Sequence, residues 1–353
     1  MLQPRATIHL QNIVDNWRLL SARAGPGGAG AVLKADAYGH GAARVSAVLA
    51  GAGCRNFFVA YGFEGSAVRA AVGPEAQIFV LNGPSAGHPT EWRRERLTPV
   101  LNTVDEVAAW CANSEPGPYG LHIDTGMNRL GVPAREAALA AAAARGTPPA
   151  LLMSHYACAD RPEAPMNRAQ SEAFNAARAH FPGVPVSLAN SEGHWLPEEL
   201  RTGLTRPGIA LFGGGTSPAR SPDLKPGLTL EAPLLQVHEV RPGDTVGYGA
   251  TFRAEQPALL ATAALGYGDG FPRAASGSGF AYLGETRCPL IGRVSMDLVT
   301  FDVSAAAPLA KAGAWVEVLG ARADLETQAA AAGTIGYELI TGLGPRVERT
   351  YTS

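Results

Sequence analysis

Lysine is scarce in this chain. Lys34, Lys225 and Lys311 stand against a large excess of arginine, and only Lys34 closes a short apolar run, residues 31–34. An ammonium group placed there is poorly solvated. Desolvation lowers the pKa of an amine toward the range in which its neutral form attacks a carbonyl, which is what Schiff-base chemistry requires. A bland role suits the same residue equally well, with its methylenes on an apolar rim and its head in water. The neighbours shift the balance. Arg129 follows run 120–123 in HIDTGMNRLG, His155 closes run 151–154 in LLMSHYA, Ser191 follows run 186–188 in LANSEG, and Arg206 opens run 206–211. Singly, these are a capping serine or a solvated arginine; together they fall at the carboxyl ends of successive apolar runs.

The elements that must position them follow from periodicity. Eight short apolar runs (31–34, 57–60, 78–81, 98–101, 120–123, 151–154, 186–188 and 206–211) alternate with stretches in which Ala, Leu and Val recur at helical spacing, such as 41–52, 104–111, 134–144 and 167–180. Strand then helix, eight times over, predicts a parallel (β/α)8 TIM-type barrel, whose carboxyl rim is where reactive side chains converge. After Gly213 comes a Gly/Pro/Ser-rich connector, GGGTSPARSPDLKPG, and then β-rich runs at 234–240, 259–264, 281–283, 290–293, 298–302 and 315–319. The expected architecture is therefore α/β: a barrel over residues 1–226 and a second, mostly β domain over 227–353. Residues 1–11, which include a strand-like run at 5–10, are expected to pair with the second sheet.

Composition narrows the function. With 353 residues, 46% of them hydrophobic and 17% charged, there is material for a sizeable core, and a formal net charge of -2 offers no basic field for nucleic acid or an acidic membrane surface. Small molecules and copies of the chain itself are the expected partners. The four cysteines, Cys54, Cys111, Cys158 and Cys288, form no C-x-x-C pair, no secretory leader is evident, and no apolar run reaches about 18 residues, so a cytoplasmic protein is expected. There is no H-E-x-x-H, Cys/His quartet or G-x-S-x-G, hence no expected metal or serine-hydrolase site. GPGGAG at 25–30 precedes its strand instead of following one, the wrong order for a dinucleotide loop, and reads as a flexible turn.

The stretch VLKADAYGHG, residues 32–41, closely resembles the cofactor-attachment motif of alanine racemases, enzymes that use pyridoxal 5'-phosphate. HIDTGMNRLG (122–131), ANS (189–191), RPGIALFG (206–213), GYGATF (247–252), LGYGDGFPR (265–273) and GRVSMD (292–297) are similar to further signatures of that family, in the family's order. The resemblance spans nearly the whole chain. It implies that Lys34 holds the cofactor as a Schiff base, that Tyr38, Ser191, Gly208 and Ile209 hold its phosphate, and that Arg206 donates to its ring nitrogen. It also implies a homodimer in which Tyr248 of one subunit is the second acid/base group opposite Lys34 of the other, with support running from Tyr248 through His155 to Arg206. Free tyrosine titrates near 10 and needs such support to work as a base at neutral pH. Arg129 resembles the arginine near the substrate carboxylate, Met296 the residue whose backbone N–H receives that carboxylate, and Tyr267 the tyrosine that narrows the entrance.

Two positions depart from the family pattern. His122 stands where many members have a carbamylated lysine that orients the arginine, so Arg129 must be positioned by water, an anion or another side chain. Pro345 stands where some relatives place a tyrosine against the phosphate. The implied activity is interconversion of L- and D-alanine, supplying D-alanine for peptidoglycan. A racemase of broader specificity and a non-catalytic pyridoxal phosphate-binding protein are the alternatives. The second is disfavoured by Tyr248 and the β domain, and a decarboxylase by Ser295 and Asp297 in place of a cysteine near Met296.

Overall fold

The computed structural model describes residues 3–84 and 89–353. Two compact units make up the chain: residues 14–211 with 215–224, and residues 1–13 with 212–214 and 225–353. The first strand, β1 (Arg5–His9), belongs to the second unit.

In the first unit β2 (Ala31–Val32), β3 (Asn56–Val59), β4 (Gln77–Val80), β5 (Thr98–Leu101), β6 (Gly120–Asp124), β8 (Leu151–Met153) and β9 (Val186–Ser187) lie side by side in parallel, in that order, with β7 (Val132–Pro133) paired to β6. Most of their residues are buried, as parallel strands flanked by helices require. Phe58 and Phe79 stack at 5.0 Å between ring centres. Burying an aromatic or branched side chain of this size stabilises by about 1.5–3 kcal/mol. Helices Ala42–Ala52, Gly62–Val72, Val104–Cys111, Ala137–Ala143 and Pro165–Arg178 connect the strands. Their starts are encoded locally. Thr103 Oγ1 accepts from Glu106 N (3.0 Å) while the Glu106 carboxylate accepts from Asn102 N (2.6 Å), which satisfies N–H groups at the helix start.

The eighth run, 206–211, is not a strand. Residues 203–207 bridge the gap between β9 and β2 as irregular backbone: Leu204 N donates to Val186 O and Arg206 N to Ala189 O on one side, Gly30 N to Thr205 O and Val32 N to Pro207 O on the other. The chain then turns into a 3-10 helix over Ile209–Phe212. Pro207 has no N–H to give a ladder, and the N–H groups of Gly208 and Ala210 go to Ser191 Oγ instead, so the ring closes without an eighth regular strand. GPGGAG is likewise more than a flexible turn. A Cβ on Gly27 would sit 2.1 Å from Gly203 O, and one on Gly30 would sit 2.8 Å from Asn56 O, so glycine is needed for this stretch to pack against the closing segment on one side and β3 on the other.

In the second unit the strands are β10 (Leu228–Val240), β11 (Thr245–Val246), β12 (Phe252–Arg253), β13 (Ala258–Ala264), β14 (Phe280–Leu283), β15 (Thr286–Ile291), β16 (Leu298–Asp302), β17 (Trp315–Leu319) and β18 (Glu348–Thr352). The sheet order β13-β16-β15-β14-β17-β10 closes on itself because β10 also pairs with β13. A register shift between Leu234 and Gln236 lets the two halves of β10 serve two neighbours, β17 and β13. Closure leaves no free edge in the ring. β1 pairs antiparallel with β10 and parallel with β18, extending the sheet. The run expected at 290–293 ends two residues earlier, since Gly292 turns to φ 68°. No helix among the described residues is long and apolar enough to cross a membrane.

Candidate active site

Lys34 follows β2 with one residue between and opens a left-handed turn, with Ala35, Asp36, Ala37 and Tyr38 at φ of 52°, 53°, 53° and 55°. Such a conformation costs non-glycine residues about 1–2 kcal/mol each. The surroundings hold it in place. Glu64 Oε1 accepts from Ala35 N (2.7 Å), Asp36 O accepts from Gly41 N (2.9 Å), and Asp36 Oδ1 accepts from Ala42 N (2.7 Å). The other oxygen of Glu64 takes the N–H groups of Ala60 and Tyr61, capping helix Gly62–Val72, so this carboxylate ties the turn to the next strand-helix junction. Burial pushes the Lys34 ammonium below its ordinary pKa, Arg129 adds to the effect, and Glu64 opposes it.

The tip of the same turn supplies Tyr38, a buried phenol whose pKa burial raises, so it stays an intact O–H. It lies against Gly208: a Cβ there would be 2.3 Å from Tyr38 Oη. Ser191 Oγ accepts from Gly208 N (2.7 Å) and Ala210 N (3.3 Å), and Ile209 opens the short helix that follows. A phenol, a serine hydroxyl and clustered backbone N–H groups after the seventh strand and the closing segment form a cradle of the kind that binds phosphate.

Arg206 is 3% exposed. Its Nη1 donates to Ser187 O (2.8 Å) and Ser187 Oγ (2.6 Å), its Nη2 donates to Ser154 O, and His155 Nδ1 lies 3.4 Å from Nη2. No carboxylate faces it among these partners, and burial pulls the guanidinium down to about 9. It is still charged at neutral pH, with Nε left over from the contacts that hold it. Asn190 Nδ2 stands 3.1 Å from His155 Nε2. Burial, Arg206 and Arg129 hold the His155 imidazole well below its ordinary pKa, in the neutral form.

Arg129 is carried by a loop built on Asp124, whose Oδ1 accepts from Gly126 N (2.9 Å) and Asn128 N (3.1 Å). The loop closes back at Gly131 (φ 110°), where a Cβ would lie 2.8 Å from Asp124 N. His122, two residues before Asp124 on β6, places Nδ1 3.1 Å from Asn102 Oδ1.

The remaining three candidates belong to the second unit. Tyr248 begins a short 3-10 turn between β11 and β12 and is 71% exposed. Tyr248 and Tyr267 line a cavity of about 340 Å³ with Arg273, Arg293, Val294 and Ser295. Met296 is 54% exposed, which excludes a core-filling role, and its carbonyl accepts from Gly268 N (2.8 Å). Arg346, beside Pro345, bridges Asp269 (2.9 Å) and Asp297 (2.7 Å) and so ties the Tyr267 turn to the Met296 loop.

Lys34, Tyr38, His155, Ser191, Arg206, Gly208, Ile209 and Arg129 thus share one unit, and Tyr248, Tyr267 and Met296 share the other. Reading the sequence missed Glu64, Asn102, Ser187, Asn190 and Arg346. Asn102 and Asn190 carry the one signal that could have found them, a polar amide just past the end of an apolar run. Among the described residues no cluster of His, Cys, Asp or Glu is arranged to hold a metal ion.

Comparison with known proteins identifies the family over both units. Residues 8–216 match the family model for the alanine racemase N-terminal domain, and residues 227–351 that for the alanine racemase C-terminal domain. A curated alanine racemase of Methylobacterium nodulans is 45% identical, covering 98% of this chain and 95% of the relative. Among solved structures, alanine racemase from Bartonella henselae with covalently bound pyridoxal phosphate superimposes with a TM-score of 0.93 at 32% identity, over 99% of each chain. The biosynthetic alanine racemase of Pseudomonas aeruginosa gives 0.90 at 36% identity over the whole of both.

Proposed function

Since the chain belongs to the alanine racemase family and is a pyridoxal phosphate-dependent amino-acid isomerase, we propose that Lys34 and Tyr248 are the two groups through which it interconverts L- and D-alanine. The observation that carries this assignment is the cradle around Gly208. There a buried tyrosine, a serine and backbone N–H groups leave no room even for a methyl, and the desolvated Lys34 begins the turn that Tyr38 ends.

The residues present fit the cofactor. Tyr38, Ser191, Gly208 and Ile209 would hold its phosphate, Lys34 would hold its aldehyde carbon, and Arg206 would donate to its ring nitrogen. When bound, pyridoxal phosphate supplies the electron sink that acidifies the hydrogen on the substrate's α-carbon. An arginine in that position keeps its own proton, which leaves the ring nitrogen unprotonated and restrains side reactions. Racemisation then requires a proton to leave one face of the α-carbon and another to arrive on the opposite face. The neutral amine of Lys34 serves one face, and the Tyr248 phenol the other.

Tyr248 and Met296 are exposed side chains on the β-rich unit, which supports a homodimer in which each subunit lends them to the other's Lys34. Met296 N–H and the Arg129 guanidinium receive the substrate carboxylate, and the bulk of Tyr267 favours a small side chain, alanine over larger amino acids. His155, held between Arg206 and Asn190, supports the phenol. We place the functional boundary at 226/227. The D-alanine product serves peptidoglycan synthesis in the cytoplasm, a location with which the four free cysteines agree.

Circular dichroism of L-alanine, L-serine, L-lysine and L-glutamate, each incubated with the cofactor-loaded protein, tests the assignment. Loss of optical activity with alanine alone is expected. Loss with several amino acids would establish the broader racemase, and no change with any, despite bound cofactor, would overturn the reading.

A further inference from the structure

His122 is held in a way that specifies which of its ring nitrogens carries the proton. The side-chain nitrogen of Asn102 donates to Val100 O (2.9 Å) and contacts Leu81 O (3.3 Å), so the orientation of the amide is set and its oxygen is the atom presented to His122 Nδ1 at 3.1 Å. A carbonyl oxygen accepts only. Nδ1 must therefore be the N–H, and in a neutral imidazole Nε2 is then a bare acceptor. The ring nitrogens diverge, so with Nδ1 turned to Asn102, the residue that follows β5, Nε2 is aimed away from it.

The loop that carries Arg129 returns beside this ring, a Cβ on Gly131 lying 3.1 Å from His122 Cγ, and the charged and titratable groups that act on the imidazole are Arg206, Asp124, Arg129 and His155. The terminal nitrogens of Arg206 are engaged by Ser187 and Ser154, and Asp124 Oδ1 is engaged by its own loop. Arg129 is exposed, and among the described residues nothing accepts a hydrogen bond from its guanidinium. Burial and the two arginines pull His122 down to about 4, so Nε2 keeps its lone pair at working pH.

We propose that Asn102 and His122 form a positioning pair: Asn102 locks the His122 tautomer, and when substrate binds, the Nε2 lone pair receives an N–H of Arg129, aiming the guanidinium at the substrate carboxylate. The role rests on the assignment of Arg129 made above. It requires no covalent modification of the side chain at position 122, so bicarbonate is not needed for activity.

The test combines two readouts. The first is ¹⁵N NMR of histidine-labelled holoenzyme, with His122→Gln identifying the resonance. An Nδ1–H, neutral signal that persists from pH 8 to pH 6 is expected; an Nε2–H tautomer, or titration above pH 6, would overturn the proposal whatever the activity. The second is steady-state kinetics of His122→Leu. A hydrogen bond to a charged group corresponds to about 10- to 100-fold, expected here as a rise in the KM for alanine at little-changed kcat. His122→Gln, which keeps an acceptor, should recover most of that loss. Equal losses in the Leu and Gln variants, or a loss confined to kcat, would reject positioning through Nε2. Asn102→Asp should hold His122 protonated and make KM climb as pH falls from 8 to 6, which wild type does not do; a flat KM would count against the lock. If wild type racemises no amino acid, the functional assignment fails while the NMR result still judges the tautomer.

Discussion

Gly208→Ala is the sharpest test of the phosphate cradle. The added methyl would lie 2.3 Å from Tyr38 Oη and 2.9 Å from Cζ, where ordinary contact begins at 3.4 Å, a shortfall of about 1.1 Å at the hydroxyl. Tyr38 cannot swing aside, since its ring is buried and it ends the left-handed turn pinned by Glu64 and Asp36. Gly208 cannot retreat without breaking the 2.7 Å bond from its N–H to Ser191 Oγ. Overpacking of this kind costs about 1–3 kcal/mol. If that strain falls on the bound state, the cofactor dissociation constant rises by roughly 5- to 150-fold. Titrating apoenzyme with pyridoxal phosphate and following the visible absorbance reads this directly. Tyr38→Phe removes the oxygen that collides, so in the double variant the alanine should do less harm than in wild type, a coupling that additive effects would not produce. Wild-type affinity in Gly208→Ala, or strictly additive losses in the double variant, would refute the packing argument.

Three other outcomes are expected. Lys34→Ala should abolish the visible band near about 420 nm characteristic of the lysine-bound cofactor; an unchanged spectrum after dialysis would reject Lys34. Tyr248→Phe should keep the cofactor and slow both directions of racemisation by on the order of 10² or more, so near-wild-type progress curves from either enantiomer would remove Tyr248 from the mechanism. Burial lowers His122 and His194 to about 4 and His155 well below its ordinary value. Because the unfolded chain binds these protons first, the stability they allow is complete above about pH 6.5 and is lost as pH falls from there toward 4, by up to about 1.4 kcal/mol per pH unit for each histidine. Urea midpoints of the apoprotein should drop between pH 7 and 5, and a flat profile would contradict the buried neutral state.

Much of the site was legible because its chemistry is local. Lys34 closes an apolar run, Ser191 follows one and Arg206 opens one, and a parallel barrel brings the ends of such runs together. The strand at 98–101 and the helix at 104–111 match the expected boundaries, since Thr103 and Glu106 cap that helix from within the sequence. Other elements were hidden. Strand β18 (Glu348–Thr352) is charged and largely exposed, without the alternating apolar face that marks a strand, and exists because β1 pairs with it. The run at 206–211 read as a strand because apolar content does not reveal that Pro207 and Ser191 divert its hydrogen bonds.

What the amino-acid sequence determines by itself is which residue types stand at the ends of the apolar runs and which turns the glycines permit, because these depend on period, propensity and φ within a few residues. What only the tertiary structure decides is how those residues are tuned. Lys34 is lowered by burial beside Arg129, Arg206 is stripped of any carboxylate and held by Ser187 and Ser154, and His122 is given its acceptor nitrogen by Asn102, twenty residues away. Desolvation and hydrogen-bond direction are properties of the assembled surroundings, and no spacing along the chain encodes them.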